Sequence, residues 1–96
     1  MGQPVHIDVL AAQVKVAYGK EYAKAKNTGY RSVRATDEQN DNFRKTAEIC
    51  RALQVSPEEY VRTAFLVTDR AIAPFIKELP RAKLAGMVED YLYTHK

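Results

Sequence analysis

This sequence of 96 residues contains one cysteine, Cys50, so no disulfide can form within the chain. Because small secreted domains usually depend on disulfides, we expect a reducing, cytoplasmic setting in which Cys50 is a small buried apolar residue. The sequence also lacks an apolar run long enough to span a bilayer, and no charged and then apolar signal segment follows Met1. We therefore expect no association with a membrane.

Residue patterns that support enzyme chemistry or metal binding are missing as well. His6 and His95 lie at opposite ends of the chain, and no glycine-rich phosphate loop is present. The carboxylate pairs Glu58-Glu59 and Glu89-Asp90 consist of sequence neighbours, which point in different directions on a helix and make poor acid–base pairs. We expect a protein that is not an enzyme and that needs no metal and no cofactor.

The composition predicts one small folded domain. Hydrophobic residues make up 46% of the chain and charged residues 28%, which is ordinary for a globular protein. A domain of this size buries a modest share of its surface, so self-association would add much to its stability.

The charge is distributed unevenly along the chain. Residues 1–36 carry six basic and two acidic side chains, whereas residues 37–59 carry three basic and six acidic ones. A basic cluster suits an anionic partner, above all nucleic acid, although a charge run often forms only a solvated face. Both interpretations stay open for the densest basic group, which comprises Lys20, Lys24, Lys26, Arg31 and Arg34.

The first part of the chain predicts one long helix over residues 4–27. Pro4 can open this helix, and the turn signal Asn27-Thr28-Gly29 ends it. Between them, apolar residues recur at helical spacing on one face, namely Ile7, Leu10, Val14, Ala17 or Tyr18, and Tyr22.

A short strand and two capped helices are predicted next. Residues 30–35 alternate, so a strand here would present Tyr30, Ser32 and Arg34 on one face. Thr36, with Gln39 three places on, has the spacing of a capping box for a helix that ends near Gln54. A second helix start is predicted at Ser56-Pro57, where Ser caps the helix and Pro fits its first position.

The second of these helices is apolar over a wide arc, and Pro74 should break it near Ala73. Such an arc suggests burial between two partners, such as a core and a second subunit. Short helices are predicted after the break, over residues 74–95, the last of them with Leu84, Met87 or Val88, Tyr91 and Leu92 at helical spacing.

The middle of the chain resembles the ribbon-helix-helix family of DNA-binding domains, in particular the subgroup that includes plasmid mobilisation accessory proteins and some antitoxins. The matching segments are Ser32-Val33-Arg34, Thr36, residues 50–56 and the run Ser56-Pro57-Glu58-Glu59-Tyr60-Val61-Arg62-Thr63-Ala64. The resemblance implies a mainly α fold with one short β-strand. A ribbon-helix-helix core at residues 30–73 would carry an added N-terminal helix and C-terminal helices.

The resemblance also implies a function. Two chains would form a homodimer whose strands pair into an antiparallel ribbon that enters the major groove of double-stranded DNA. The implied role is transcriptional repression or the organisation of a plasmid or phage DNA site, with a toxin, a relaxase or a host protein as a candidate partner. Tyr30, Ser32 and Arg34 would read bases. The DNA backbone would be contacted by Lys24, Lys26, Arg31, Ser56 and Arg62. The dimer core would comprise Val33, Phe43, Ala47, Cys50, Leu53, Val61 and Phe65.

Two other interpretations stay open. Residues 49–61 also resemble a helix-turn-helix pattern with Cys50, Val55 and Tyr60 at its buried places, and the helix after Ser56 would then enter the groove through Glu58, Glu59, Arg62 and Thr63. Alternatively, the chain is a small phage- or plasmid-encoded inhibitor or adaptor that uses a helical surface against another protein. Its wide apolar arcs and six tyrosines suit that function.

Overall fold

The computed structural model describes residues 5–29, 34–68 and 76–95. These residues form four α-helices and a short 3-10 helix, Ile76–Glu78. The central helix α1 packs against both α2 and α3, and α3 also packs against α4. None of the described helices has the length and apolar character of a membrane-spanning segment. The α-helices are α1 (Ile7–Ala25), α2 (Asp37–Leu53), α3 (Pro57–Val67) and α4 (Ala82–Thr94).

The expected ribbon-helix-helix core with one short β-strand is wrong. The described residues contain helices and no strand, and residues 34–36 form an irregular lead into α2. Residues 30–33 of the predicted strand lie outside the described residues. The physical reason for the different fold is α1, which covers the apolar faces of α2 and α3 within the same chain. The helix expected to be an addition to the core is its centre.

The predicted caps determine where α2 and α3 begin. The Gln39 backbone N–H donates to the Thr36 hydroxyl oxygen at 3.1 Å, and the Gln39 side chain accepts from the Thr36 backbone N–H at 2.9 Å. This capping box is therefore complete. At α3, the Ser56 hydroxyl accepts from the Glu59 backbone N–H at 3.1 Å, and Pro57 occupies the first turn, as predicted.

The turn between α2 and α3 places a glutamine in the left-handed region. Gln54 has φ 57° and ψ 41°, a conformation that favours glycine. The backbone N–H of Val55 donates to the Cys50 carbonyl at 3.1 Å, and that of Gln54 donates to the Arg51 carbonyl at 3.2 Å. These two bonds satisfy carbonyls at the end of α2 and fix the direction in which α3 leaves it.

Aromatic contacts join the first three helices. The Tyr18 ring of α1 lies 6.0 Å from the Phe43 ring of α2 and 5.6 Å from the Phe65 ring of α3, measured between centroids. A second tie runs from α3 to the segment before α4, where the buried Tyr60 hydroxyl donates to the Leu79 carbonyl at 2.7 Å. The rest of the core is aliphatic and comprises Val14, Ala17, Ala47, Cys50, Val61, Ala64, Leu79, Leu84 and Val88.

Helix α3 ends earlier than expected. It stops at Val67, where the Thr68 hydroxyl bonds to the Ala64 carbonyl at 2.8 Å. The predicted break near Ala73 lies outside the described residues.

Polar contacts hold α1 antiparallel to α2, because Asp8 accepts from Arg44 at 3.0 Å and Arg51 donates to the Val5 carbonyl.

Candidate functional site

Helix α1 has apolar residues on two opposite faces. Its inner face is buried in the core through Val14 and Tyr18. Its outer face carries three exposed apolar residues at steps of three and four, which place them on one line along the helix. We name this line the α1 stripe; it consists of Val9, Ala12 and Val16. Val9 is 49% exposed and Val16 is 43% exposed, so about half of each side chain remains available to a partner.

The α1 stripe forms the floor of an open groove between α1 and α3. The groove has a volume of about 490 Å³. Helix α3 supplies its wall through Glu58 and Arg62, which its capped start at Ser56 places on the side that faces α1. We name this feature the α1–α3 groove. It is lined by Val9, Ala12, Gln13, Val16, Ala17, Lys20, Glu21, Lys24, Glu58 and Arg62.

One end of the α1–α3 groove is basic. Lys20 and Lys24 lie one helical turn apart on α1, and Arg62 of α3 lines the same groove together with Glu58. Glu21 neutralises Lys24, since their charged atoms are 3.1 Å apart. Lys20 and Arg62 form no ion pair within the described parts of the chain, so both cations are available to an acidic group on a partner.

The structure brings together only some of the residues predicted to contact DNA. Lys24 and Arg62 are brought together by the structure, in the α1–α3 groove. Lys26 lies apart from them, with its ammonium 5.7 Å from the centre of the Tyr22 ring. The Ser56 hydroxyl oxygen already accepts a bond within α3. Arg34 is exposed at the start of a described segment, and Tyr30, Arg31 and Ser32 lie outside the described residues.

The residues predicted for a dimer core are mostly buried within one chain. Five of them are at most 4% exposed without any second subunit, and Leu53 is half-buried. Their burial comes from α1 and α4 of the same chain, so it does not require a partner. Val33 lies outside the described residues. The five buried residues are Phe43, Ala47, Cys50, Val61 and Phe65.

The segment from α2 to α3 has the local form of a helix-turn-helix, but α3 has little free surface. Cys50 and Tyr60 are buried, as that pattern requires. Thr63, expected on the exposed face, is only 5% exposed. Because α1 and α4 cover α3 on two sides, its exposed polar residues are Glu58, Glu59 and Arg62. A recognition helix needs a free face to enter a major groove, and this one is short and acidic.

The α1 stripe was missed by the sequence analysis. The periodicity of Ile7, Leu10 and Val14 indicates one apolar face, and the remaining apolar residues of the helix received no role. The signal was present, because Val9, Ala12 and Val16 repeat at steps of three and four on their own. A helix with two apolar lines needs two partners, and the core supplies only one.

The buried ionisable groups of the core are kept in their neutral forms. Burial raises the pKa of the Cys50 thiol to about 12. The pKa of Tyr18 is also raised to about 12, mainly by burial and to a smaller extent by the nearby Tyr22. A thiol with so high a pKa is a poor nucleophile at neutral pH. No cluster of three or more potential metal ligands occurs within residues 5–29, 34–68 and 76–95.

Comparisons of the chain with protein-family models, with curated proteins and with solved structures found no match.

Proposed function

We propose that this chain is a protein-binding module that holds an amphipathic helix of its partner in the α1–α3 groove. The observation that carries the proposal is the α1 stripe, because apolar side chains lined up beside a groove are typical of protein interaction sites. A partner helix would lay its own apolar line along the stripe, with anchors at steps of three and four.

The exposed apolar side chains of the α1 stripe favour an apolar partner surface in the groove. Fully burying a valine side chain contributes about 1.5–3 kcal/mol, so covering the exposed half of Val9 or Val16 contributes roughly 1 kcal/mol each. Lys20 and Arg62, which line the groove, add attraction for carboxylates on the bound helix. The preferred ligand is therefore a helix that is apolar along one line and acidic near the basic end of the groove.

Selection of helical peptides tests this proposal. A displayed library of amphipathic helices is selected against the wild-type chain and counter-selected against the Val16→Asp variant. We expect peptides with apolar residues at steps of three and four and with acidic residues toward one end. Binding should fall at least tenfold in Val16→Asp, because the apolar contact of Val16 with the peptide is lost and a charged carboxylate must leave water when the peptide covers it.

A matched control is available on α4. Met87 is 39% exposed and lies outside the α1–α3 groove, so Met87→Asp should leave binding unchanged. Amide chemical shifts recorded during a peptide titration should change along Val9, Val16 and Arg62. Peptides that bind both aspartate variants equally, or that shift amides elsewhere, would refute the groove as the binding site.

Double-stranded DNA binding is the second candidate function. It is supported by Lys20 and Arg62, which line the same groove and form no ion pair within the described residues. Such a cluster would contact phosphates, and binding would weaken steeply with salt as counterions are released. A fluorescent duplex titrated with salt tests it: Arg62→Glu should weaken binding to all sequences and lower the salt slope by about 1. Unchanged binding in that variant would exclude these basic residues as the DNA-binding site. DNA binding is the second candidate because it gives the α1 stripe no role.

A further inference from the structure

We infer that the helix held in the α1–α3 groove is α1 of a second copy of this chain, lying antiparallel to the first. This inference rests on the proposed function and names its partner. The groove calls for a helix with an apolar line. Helix α1 has such a line in the α1 stripe, and the exposed carboxylate of Asp8 lies just before it on the side toward α2, where its partner in the second copy is Lys15 rather than Lys20 or Arg62.

The spacing of the stripe suits pairing with an identical helix. Val9, Ala12 and Val16 follow the alternating steps of three and four that place side chains on the seam between two paired helices. Val5, immediately before α1, is 49% exposed and extends the apolar surface at that end. The small side chain of Ala12 in the middle lets the two helix axes approach closely.

The charges beside the stripe choose the antiparallel direction. Asp8 and Lys15 lie on the same side of the stripe, toward α2, and are seven residues apart. In an antiparallel pair, this side of one helix faces the same side of the other helix. Asp8 of each copy therefore lies opposite Lys15 of the other copy, which gives two such contacts in the dimer. In a parallel pair Lys15 would instead face Lys20 of the second copy, which is repulsive.

Both charged groups can take part in such contacts. Asp8 accepts a bond from Arg44 through one oxygen, yet its side chain is still 58% exposed. Lys15 lines a hollow that also contains Asp37 and Asp41 of α2, and it forms no ion pair within the described segments. Lys15 thus has the acidic groups of α2 on one side, and the second copy brings the carboxylate of Asp8 to its open side.

Sedimentation of the whole chain over a wide concentration range is the first test. A contact confined to one face of α1 from each copy should bury less than a standard interface of about 1,600 Å², so we expect a weak, concentration-dependent dimer. Val16→Asp should abolish it, while Met87→Asp should leave it unchanged. Lys15→Glu should weaken it several-fold, because a carboxylate would then face Asp8 of the second copy. Circular dichroism melts confirm that each variant is folded, and Val16 is exposed enough for its substitution to be tolerated.

Disulfide trapping tests the direction of the pair. In a background with Cys50→Ala, an antiparallel pair brings residue 9 near residue 16 of the other copy. The two residues 16 are then separated by at least seven residues along the axis, or about 10 Å, which is too far for a disulfide. We therefore expect a mixed disulfide from Val9→Cys with Val16→Cys, and no disulfide from Val16→Cys alone.

The outcomes separate this inference from the proposed function. A dimer that survives Val16→Asp, or Val16→Cys chains that link to each other, would overturn the antiparallel α1 pair. A chain that stays monomeric but binds selected peptides in the groove would overturn the second copy as partner and leave the groove's function in place. A monomer that binds no helix would overturn both.

Discussion

Replacing Tyr60 with phenylalanine removes one oxygen atom from the centre of the fold. The Tyr60 side chain is 0% exposed, and its hydroxyl donates to the Leu79 carbonyl at 2.7 Å. Phenylalanine keeps the ring and its packing, so Tyr60→Phe isolates this bond between α3 and the segment before α4.

The expected cost follows from what the substitution leaves behind. A buried hydrogen bond contributes about 1 kcal/mol, and a buried carbonyl without its partner costs about 1–3 kcal/mol. We expect Tyr60→Phe to lower the free energy of unfolding by about 1–2 kcal/mol. In a domain of this size each 1 kcal/mol shifts the Tm by about 4–8 °C.

Urea denaturation followed by circular dichroism measures this change. Tyr22→Phe is the matched control, because Tyr22 is 42% exposed and should change stability by less than about 0.5 kcal/mol. Equal stability of Tyr60→Phe and the wild-type chain would refute the bond. It would also remove the tie that places the segment before α4 against α3.

Three further predictions concern the helix ends and the buried ionisable groups. Gln54→Gly should stabilise the chain by about 0.5–1 kcal/mol in urea melts, because relief of left-handed strain exceeds the entropy that glycine adds to the unfolded state. Asn27→Gly should gain less, since asparagine tolerates φ 55° better; an equal gain would contradict the strain argument. Thr36→Ala should cost about 1 kcal/mol through loss of the capping box, and no change in the melt would mean that α2 does not depend on it. Raising the pH should destabilise the fold, because burial holds the pKa of Tyr18 and Cys50 at about 12, above their ordinary values of 10.0 and 9.0. Their contribution is complete below pH 9 and is lost as the pH rises toward 12, by about 1.4 kcal/mol per pH unit for each group; flat stability between pH 9 and 11 would contradict their burial.

The helix starts were predictable because their causes are local. Thr36 and Ser56 cap α2 and α3 with hydroxyl groups three residues from the amides they bind, and such contacts depend only on neighbouring residues. The apolar faces of both helices were predictable for the same reason, since a side chain's direction follows from helical spacing.

The strand assignment shows where local reasoning stops. Residues 30–35 alternate over too short a run to specify a strand, and the resemblance to ribbon-helix-helix domains supplied the rest. The motif Ser56 to Ala64 that carries this resemblance is a capped, apolar helix, which any helical fold can use. Residues 30–33 lie outside the described residues, and the described part of the predicted core consists of helices.

The candidate groove could not be located from the sequence, because it depends on which helix covers which. Arg62 and Lys24 are 38 positions apart, and only the packing of α1 on α3 makes them line the same groove. The spacing of Val9, Ala12 and Val16 can be read from the sequence. Their exposure cannot, since a buried apolar face and an exposed one have the same sequence pattern.

The sequence by itself thus determined the helices, their caps and the faces that must be buried, because all of these follow from interactions within a few residues. Only the tertiary structure decided what buries them. A face such as that of Phe43, Ala47 and Cys50 is satisfied equally well by a second subunit or by α1, since the hydrophobic effect has no direction and depends on the area removed from water. The chain's own α1 covers that face, which leaves the opposite side of α1 open to a partner.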